Sequence, residues 1–345
     1  TFLQQLSREA CHAAKFEWLE EEGLQRKSLI ATVLGSGDTS VNVTTGEGVL
    51  FKVGDLVVVT STLETLMVTA VATDAVSITR SWGAVAAAAA AVGDELFIIG
   101  NASAESAASP TKKSMNPAAK FNYCQNIRTP FGLSDIAANT SMYGGADKNS
   151  LRRAQMIEHK KNIERVFLYG EKAISGTTRS SGGLREFIST NVYDVGGFAS
   201  HAELESYMQY VFAYGSDRRL GMASPMWLSA LSLMGADKLR AVPRDTTYGV
   251  SVKEYTSPHG TIYFVKNTQL SGVVFGGYLF LLDMNTKNEF GNLVKYRYLQ
   301  NMDTKLKTDI QDNNVTSQDD EYETVCGLEL RLEKIHAAIK GLTNL

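Results

Sequence analysis

The strongest constraint on the fold is a change of composition at residue 28, which lasts to about residue 100. Val, Thr, Ala and Gly dominate this stretch, and short β-branched runs alternate with Gly and Asp. β-Branched residues favour strands, whereas Gly and Asp favour the turns between them. The pattern therefore predicts an antiparallel module with strands at 40–44, 56–60, 66–71, 76–79 and 96–99.

The module contains a weak internal repeat. Residues 53–58 (VGDLVV) resemble residues 92–98 (VGDELFI), and each copy follows a short strand. Two strand–turn–strand units of this kind predict a small β-barrel or sandwich. Residues 28–100 carry seven acidic and two basic side chains, a net charge of -5 in a chain of net charge -3. We therefore expect this acidic module to face solvent.

A long helix is predicted at residues 147–169. Asp147 or Asn149 can cap its start, and Gly170 ends it. At 1.5 Å per residue it would be roughly 35 Å long. Its apolar side is predicted to comprise Leu151, Ala154, Ile157, Ile163, Val166 and Phe167.

Two further helices have clear start signals. Ser200 and Glu203 form a capping box before an apolar-periodic segment. Ser224 is an N-cap followed by Pro225 at the first helical position. Together with the strands, these helices predict an α+β fold with a β insertion.

The last third of the chain is predicted to be rich in strands. Residues 309–323 contain six acids and no Lys or Arg, which predicts an exposed loop with a solvated Asp319-Asp320-Glu321 run. The strands are predicted at 250–255, 261–265, 273–275, 278–282, 294–298 and 324–332.

Catalytic and cofactor motifs are absent from the sequence. It contains no phosphate-binding loop, no dinucleotide-binding glycine pattern, no HExxH and no GxSxG. The five histidines have no ligand-like spacing, and the basic cluster His159-Lys160-Lys161 is predicted to lie on a solvated helix face. We therefore expect no catalytic residues, no cofactor and no metal.

Composition excludes several further classes. No apolar run approaches the roughly 18 residues that span a bilayer, so we expect no membrane partner. The net charge of -3 gives no basis for tight binding to nucleic acid. Three widely spaced cysteines, without a CxxC pair, favour a reducing compartment.

The order of elements resembles a known architecture. The motifs that carry this resemblance are KFEWLE at 15–20, FKVGD at 51–55, IIGN at 98–101, RTPF at 128–131, YGG at 143–145, EHKKNIER at 158–165, LYG at 168–170 and GGL at 182–184. The chain is similar to the major capsid proteins of tailed phages with the Hong Kong 97-type fold. It resembles in particular the SU-ten-like group, which carries a β insertion.

The resemblance implies a division of the chain into capsid domains. Residues 1–14 would form an N-terminal arm, and residues 15–146 an extended loop with 28–100 as its inserted β domain. Residues 147–184 would form the peripheral domain with its spine helix, and residues 185–299 the axial domain. Residues 300–345 would return to the peripheral domain.

The resemblance also implies a structural function and not an enzymatic one. The chain would assemble in the bacterial host cytoplasm, as hexamers and pentamers of itself, into the icosahedral capsid of a virion. Portal, scaffolding and decoration proteins are further implied partners, and packaged double-stranded DNA would be contacted only non-specifically. The candidate inter-subunit contacts are Phe16, Trp18, Arg128, Phe131, Arg152 and Arg153.

Two alternative functions remain open at the level of sequence. The first is the shell of an encapsulin-like nanocompartment, which would enclose cargo enzymes in place of a genome. The second is a carbohydrate-binding or enzymatic protein with 28–100 as its binding module. In that module Phe51 and Trp82 are the obvious aromatic platforms.

Overall fold

The computed structural model describes residues 2–21, 26–103, 105, 117–140, 148–234, 239–242, 252–288 and 291–343. The chain divides into two compact units. The inserted unit is residues 21–117, and the main unit is residues 1–20 with 118–345. Strands and helices are numbered below in chain order over the described residues.

The inserted unit is built on one six-stranded antiparallel sheet, in the order β3-β8-β5-β6-β7-β4. All five strands predicted in this region are confirmed, and the short first strand was not predicted. The strands are β3 (Lys27–Leu29), β4 (Ser40–Asn42), β5 (Asp55–Val59), β6 (Thr65–Ala72), β7 (Ala75–Thr79) and β8 (Glu95–Asn101).

The two end strands of this sheet meet and close it into a small barrel. Ile30, directly after β3, forms an antiparallel bridge with Val43, directly after β4. Beside it, Ala31 N donates to Asn42 O at 2.8 Å. Of the two predicted architectures, closure of the sheet selects the barrel, because a closed sheet leaves no free edge. Alternate residues of β5 point inward, so Val57 and Val59 lie in the buried core of the unit.

The main unit contains a five-stranded sheet in which both ends of the chain take part. Its order is β1-β21-β23-β10, with β22 also paired to β23. The long β23 is therefore the centre of the sheet. The strands are β1 (Ser7–Cys11), β10 (Gln125–Ser134), β21 (Val294–Leu299), β22 (Lys305–Lys307) and β23 (Ser317–Leu330).

The main unit also contains a seven-stranded sheet, in the order β13-β24-β18-β14-β17-β16-β15. The strand β24 comes from the predicted peripheral return but pairs with β13 and β18, which lie in the predicted axial region. The strands are β13 (Val192–Gly197), β14 (Arg218–Ala223), β15 (Leu239–Val242), β16 (Val252–Ser257), β17 (Gly260–Lys266), β18 (Leu279–Leu282) and β24 (Ala337–Leu342).

The remaining strands of the described residues form three two-stranded ladders. The β2–β9 ladder joins the chain entering the inserted unit to the chain leaving it, with six residue pairs. The ladders are β2 (Lys15–Glu20) with β9 (Ala118–Tyr123), β11 (Ala173–Ser175) with β12 (Thr178–Ser180), and β19 (Lys287–Asn288) with β20 (Gly291–Asn292).

The predicted helix starts are confirmed. Ser200 Oγ accepts from Glu203 N, and the Glu203 side chain accepts from Ser200 N, which completes the capping box. Ser224 Oγ accepts from Trp227 N at 3.1 Å. The helices are α1 (Asp135–Asn139), α2 (Lys148–Tyr169), α3 (Leu184–Phe187), α4 (His201–Val211) and α5 (Pro225–Met234), with 3₁₀ turns at Phe2–Gln4, Gly48–Leu50, Phe275–Gly277 and Glu333–Ile335.

The long helix α2 is confirmed. Of its two predicted caps, Asp147 lies outside the described residues and Asn149 lies within the helix. Only its second half is buried, by a face that includes Ile163, Phe167 and Leu168. The predicted apolar side does not extend to its first half, where Ile157 is 58% exposed. There, Lys148 and Arg152 of α2 pair instead with the buried carboxylate of Asp320 on β23.

Two predictions for the last third of the chain are wrong. Residues 309–323 are not an exposed loop throughout, because β23 begins at Ser317 and buries Asp320 and Glu321. Residues 273–275 do not form a strand; Val273 is 91% exposed and leads into the 3₁₀ turn Phe275–Gly277. With these corrections, the predicted α+β class is confirmed.

Candidate functional site

Two of the predicted contact residues, Phe16 and Trp18, are core residues of the main unit. They lie on the same face of β2 and are only 7% and 4% exposed. Both pack with Cys11, Cys124 and Val325 in a small apolar cluster. They alternate with the exposed Lys15 and Glu17, and their own chain covers the buried face. Little of either side chain is left for a neighbouring subunit to contact.

Arg128 occupies an exposed position on β10 opposite a buried carboxylate. Its ion-pair partner Glu321 on β23 is 2% exposed, whereas the Arg128 side chain is 57% exposed. Nε and Nη2 of Arg128 donate to the two Glu321 oxygens, the latter at 2.6 Å. This bidentate pairing orients the guanidinium and raises its pKa. Within the described residues, Nη1 of Arg128 has no hydrogen-bond partner.

A second arginine, Arg152 of α2, pairs with Asp320, the residue that precedes Glu321 on β23. Arg152 of α2 donates from Nε to Asp320 Oδ2 at 2.8 Å, and Lys148 Nζ lies 3.6 Å from the other carboxylate oxygen. Asp320 itself is completely buried. Tyr322 adds a hydrogen bond from its hydroxyl to Arg152 O at 3.2 Å. The start of α2 is thus attached to β23 by charge and hydrogen bonding.

Phe131 and Arg153, the remaining predicted contacts, differ in their surroundings. Phe131 stacks on Tyr322 with ring centroids 5.4 Å apart. Arg153 is exposed and makes no ion pair within the described part of the chain. The structure therefore places Phe131 and Arg152 beside Asp320 and Tyr322, on the face of the β10–β23 ladder that α2 covers, whereas Arg128 pairs with Glu321 on the opposite face. Arg153 follows Arg152 on α2. We call these four residues the arginine set.

His159 lies where α2 packs against the five-stranded sheet. The ring is completely buried, with Nδ1 2.8 Å from Thr129 Oγ1 and Nε2 2.7 Å from Thr324 Oγ1. Burial lowers the pKa of His159 below its usual range. The prediction of a solvated face for His159 is wrong, because α2 lies against β10 and β23 at this point. Its neighbours Lys160 and Lys161 are at least partly exposed.

Asp320 and Glu321 of the acidic run are therefore the buried partners in ion pairs with more exposed basic side chains. Glu323 continues it, with Lys307 Nζ at 2.5 Å and Asn126 Nδ2 at 3.2 Å, and the hydrogen bond from Lys307 lowers its pKa. Buried carboxylates need such partners, because removal of a charge from water is costly. The sequence signal was available in retrospect: Asp319-Asp320-Glu321 runs without a break into Tyr322 and an apolar strand.

The arrangement offers charged and aromatic side chains for binding. Among the described residues, no group of three or more His, Cys, Asp or Glu side chains could hold a metal ion. No helix in the described ranges is both long and apolar enough to cross a membrane. The partners of Glu321 and Asp320 include the guanidinium groups of Arg128 and Arg152, a side-chain type that suits pairing with carboxylates across an interface.

One of the two aromatic platforms predicted in the inserted unit is exposed, and the other is buried. Phe51 is 4% exposed and belongs to the barrel core, whereas Trp82 is 50% exposed. A single aromatic side chain is a small platform for a sugar, because flat sugar faces are held by extended aromatic surface.

The sequence matches the family model of the SU10 major capsid protein over residues 1–343. A comparison with curated proteins finds no match. Among solved structures, the capsid of a native GTA particle has a TM-score of 0.48 at 8% identity, covering 98% of this chain and 89% of that chain. The Synechococcus elongatus SrpI encapsulin complex gives 0.47 at 13%, covering 66% and 76%, and Mycobacterium phage Patience gives 0.44 at 14%, covering 71% and 79%.

All three TM-scores lie below 0.5, so the assignment rests on the family model. That model spans nearly the whole sequence, including the inserted unit. The chain therefore belongs to the SU10 major capsid protein family, and it is a structural subunit that assembles with copies of itself into a virion capsid.

Proposed function

We propose that this chain forms the icosahedral shell of a tailed phage and that the residues of the arginine set contribute to its subunit contacts. The observation that carries the contact is the Arg128–Glu321 pair. A buried carboxylate fixes one edge of an exposed guanidinium, which leaves Nη1 in a defined position. A preorganised donor of this kind loses little side-chain entropy when a carboxylate of a neighbouring subunit binds it.

The domain roles follow from the same proposal. Residues 147–184 would be the peripheral domain with α2 as its spine, 185–299 the axial domain, and 300–345 the return to the peripheral domain. The pairing of β24 with β13 and β18 supports one adjustment, namely that residues 337–342 belong with the axial sheet. The extended loop of 15–146 would carry the barrel.

The shell would have no catalytic activity of its own. It would assemble in the bacterial host cytoplasm as hexamers and pentamers, enclose double-stranded DNA without sequence-specific contacts, and meet portal, scaffolding and decoration proteins. The four residues of the arginine set are the proposed inter-subunit contacts. Phe16 and Trp18 would act indirectly, by fixing the base of the extended loop against the main unit.

Negative-stain electron microscopy of the purified chain tests the shell. We expect closed particles or capsomers, and a chain that stays monomeric under assembling conditions would contradict the proposal. Nuclease-protected DNA within particles purified from infected cells supports a phage shell. A co-purifying protein cargo in place of DNA would support the nanocompartment alternative.

Arg128→Ala tests the contact separately, with Arg165→Ala as the matched control. Arg165 is also an exposed arginine in an ion pair, but its partner Glu158 is 43% exposed, so neither side chain is fixed by burial. We expect Arg128→Ala to reduce the yield of closed particles at least tenfold while circular dichroism stays unchanged, and Arg165→Ala to assemble normally. Normal assembly of both variants would remove the contact assignment and leave the shell proposal intact.

A further inference from the structure

Two buried thiols lie in contact at the base of the inserted segment. The Cys11 and Cys124 sulfurs are 3.3 Å apart. Cys11 is the last residue of β1, and Cys124 lies between β9 and β10. We propose that this pair is a site of oxidative modification, at which a small peroxide converts the two thiols into an intrachain disulfide.

Backbone hydrogen bonds fix both cysteines in place. Cys124 N donates to Ala14 O at 2.8 Å, and Gln300 N donates to Cys11 O at 2.9 Å. A disulfide requires the sulfurs to approach by about 1.3 Å more, which rotation of the side chains can provide without moving paired strands. The separation is therefore a property of the fold and not of a loose loop.

The third cysteine is placed differently. Cys326 is completely buried and aligns with Gln125 in the β10–β23 ladder. Its thiol interacts with the Tyr296 hydroxyl and makes no sulfur–sulfur hydrogen bond within the described residues. Three cysteines allow three disulfide pairings, and the structure favours the one between Cys11 and Cys124.

The surroundings admit only a small oxidant. Cys11 and Cys124 are 7% and 3% exposed, and they belong to the small cluster with Phe16, Trp18 and Val325, separate from the large core. Cys11 Sγ also lies 3.3 Å from Tyr298 O. Since a carbonyl only accepts, Cys11 donates there when protonated, and Cys124 then donates to Cys11.

This donor order selects Cys11 as the nucleophile. The hydrogen bond from Cys124 favours the Cys11 thiolate and lowers its pKa, and the same contact with burial raises the pKa of Cys124. The Cys11 thiolate attacks one peroxide oxygen, the O–O bond breaks, and the leaving hydroxide takes a proton to become water. The Cys124 sulfur then displaces hydroxide from the Cys11 sulfenic acid, with loss of its own proton, and the second water leaves as the S–S bond forms.

The disulfide would close a loop that contains the entire inserted unit. Residues 12–123 would lie between the two sulfurs, and the barrel would become a covalently closed lobe. A break in the inserted unit would then no longer separate the two parts of the chain. This consequence concerns a single subunit and is independent of the proposed shell function.

Peptide mapping of the full chain tests the site. The chain is purified in reductant, exchanged into hydrogen peroxide, alkylated, and digested with trypsin without reduction. We expect a linked pair of peptides 9–15 and 121–128, which contain Cys11 and Cys124, and an alkylated peptide 308–331 with Cys326. The linked pair should disappear on reduction and in Cys11→Ser and Cys124→Ser, and it should persist in Cys326→Ala.

Oxidation of the urea-unfolded chain is the reference for reactivity. The unfolded chain should give a mixture of all three pairings, because nothing selects one of them. If the native chain gives the same mixture, gives only links between chains, or keeps Cys11 and Cys124 as thiols while the unfolded chain reacts, the proposed site is wrong.

Discussion

Arg219 and Asp283 form an ion pair in which both side chains are completely buried, with Nη1 2.9 Å from Oδ2. Arg219 also donates to the carbonyl of Val211 at 3.2 Å, at the end of α4. Asp283 accepts from the backbone N–H groups of Ser216 and Thr286, at 2.8 and 2.9 Å. The pair therefore joins α4, β14 and the end of β18 through one network.

Arg219→Met should strongly destabilise the main unit. Methionine fills much of the same volume but leaves the Asp283 carboxylate buried without its cation and the Val211 carbonyl, at the end of α4, without this donor. Loss of one partner of a buried pair typically costs roughly 3–5 kcal/mol. We expect a loss of this size in the free energy of unfolding of the main unit, measured by urea titration with circular dichroism.

Arg165→Met is the matched control for this prediction. Arg165 and Glu158 form an ion pair in which each side chain is more than two-fifths exposed. Exposed pairs contribute roughly 0–1 kcal/mol, so this variant should unfold within that margin of the wild type. Equal losses in the two variants would mean that burial does not decide the strength of the Arg219 pair.

His336 should make the stability of the main unit fall between about pH 6.5 and pH 4. Its ring is completely buried, Nδ1 accepts from Asp283 N at 3.1 Å, and Nε2 donates to Arg331 O at 3.2 Å. Burial lowers its pKa to about 4. As the pH falls through this window, the unfolded chain gains a proton that the folded chain does not accept. The loss amounts to about 3 kcal/mol by linkage.

The measurement is a series of urea titrations from pH 7 to pH 4. His336→Asn keeps an acceptor near the position of Nδ1 but does not titrate, so its stability should depend less on pH, although it should be lower at pH 7. Asp283, with its pKa lowered to about 2, contributes only below that window. A pH dependence in His336→Asn as steep as that of the wild type would contradict the assignment to His336.

The inserted unit is predicted to depend on Glu64 and Arg80. Glu64 is completely buried, and Arg80 Nη2 lies 2.7 Å from its Oε2. The same nitrogen donates to Ala88 O at 2.7 Å, and Glu64 accepts from Ser81 N at 3.0 Å and Ala88 N at 3.3 Å. The pair thus holds the alanine-rich segment 84–92, which contains no helix or strand of its own.

Arg80→Met should release this segment selectively. We expect amide exchange at residues 81–90 to accelerate roughly tenfold or more, since the lost hydrogen bonds involve buried partners. Hydrogen exchange with mass spectrometry measures this directly. Lys27→Met removes an exposed pair with Glu95 in the same unit and should leave exchange at 81–90 unchanged. Uniform acceleration over the whole barrel in Arg80→Met would indicate global and not local loss of structure.

The sequence predicted the barrel strands, α2 and the capped helices because each depends on local signals. Ser200 and Glu203 form their capping box within one turn, and β5, β6 and β7 follow one another with short turns. Asp320 and Glu321 are different. Their burial depends on Arg152 and Arg128, which are 168 and 193 residues away in the chain. An acidic run without neighbouring bases therefore resembled a solvated loop.

The same limit applies to the candidate site. Arg128, Phe131 and Arg152 were selected from the resemblance, and the structure places Phe131 and Arg152 on one face of the β10–β23 ladder and Arg128 on the other. Phe16 and Trp18 were selected on equal grounds and are buried instead. A period of two along β2 predicts that one face is covered, but it does not distinguish cover by the same chain from cover by a neighbour.

Asn122 provides the most stringent test of polar packing in the main unit. Its side chain is completely buried, and Nδ2 lies 2.7 Å from Leu328 O and 3.0 Å from Gly182 O. Oδ1 accepts from Tyr123 N and Gly182 N, each at 2.8 Å. Asn122→Asp keeps that acceptor but places a charged oxygen against two carbonyls, so its cost should exceed the roughly 1–3 kcal/mol of an unsatisfied buried group.

The dependence of this cost on pH identifies its cause. Burial beside two carbonyls raises the pKa of the introduced carboxyl, so the folded chain binds a proton more readily than the unfolded chain. The difference in stability between Asn122→Asp and the wild type should therefore shrink as the pH falls toward about 4 and grow as the pH rises. Asn122→Ala removes both functions of the amide without adding a charge, so its difference from the wild type should not change with pH. Parallel urea titrations at pH 7 and pH 5 separate the two variants, and an equal pH response in both would show that the charge is not responsible.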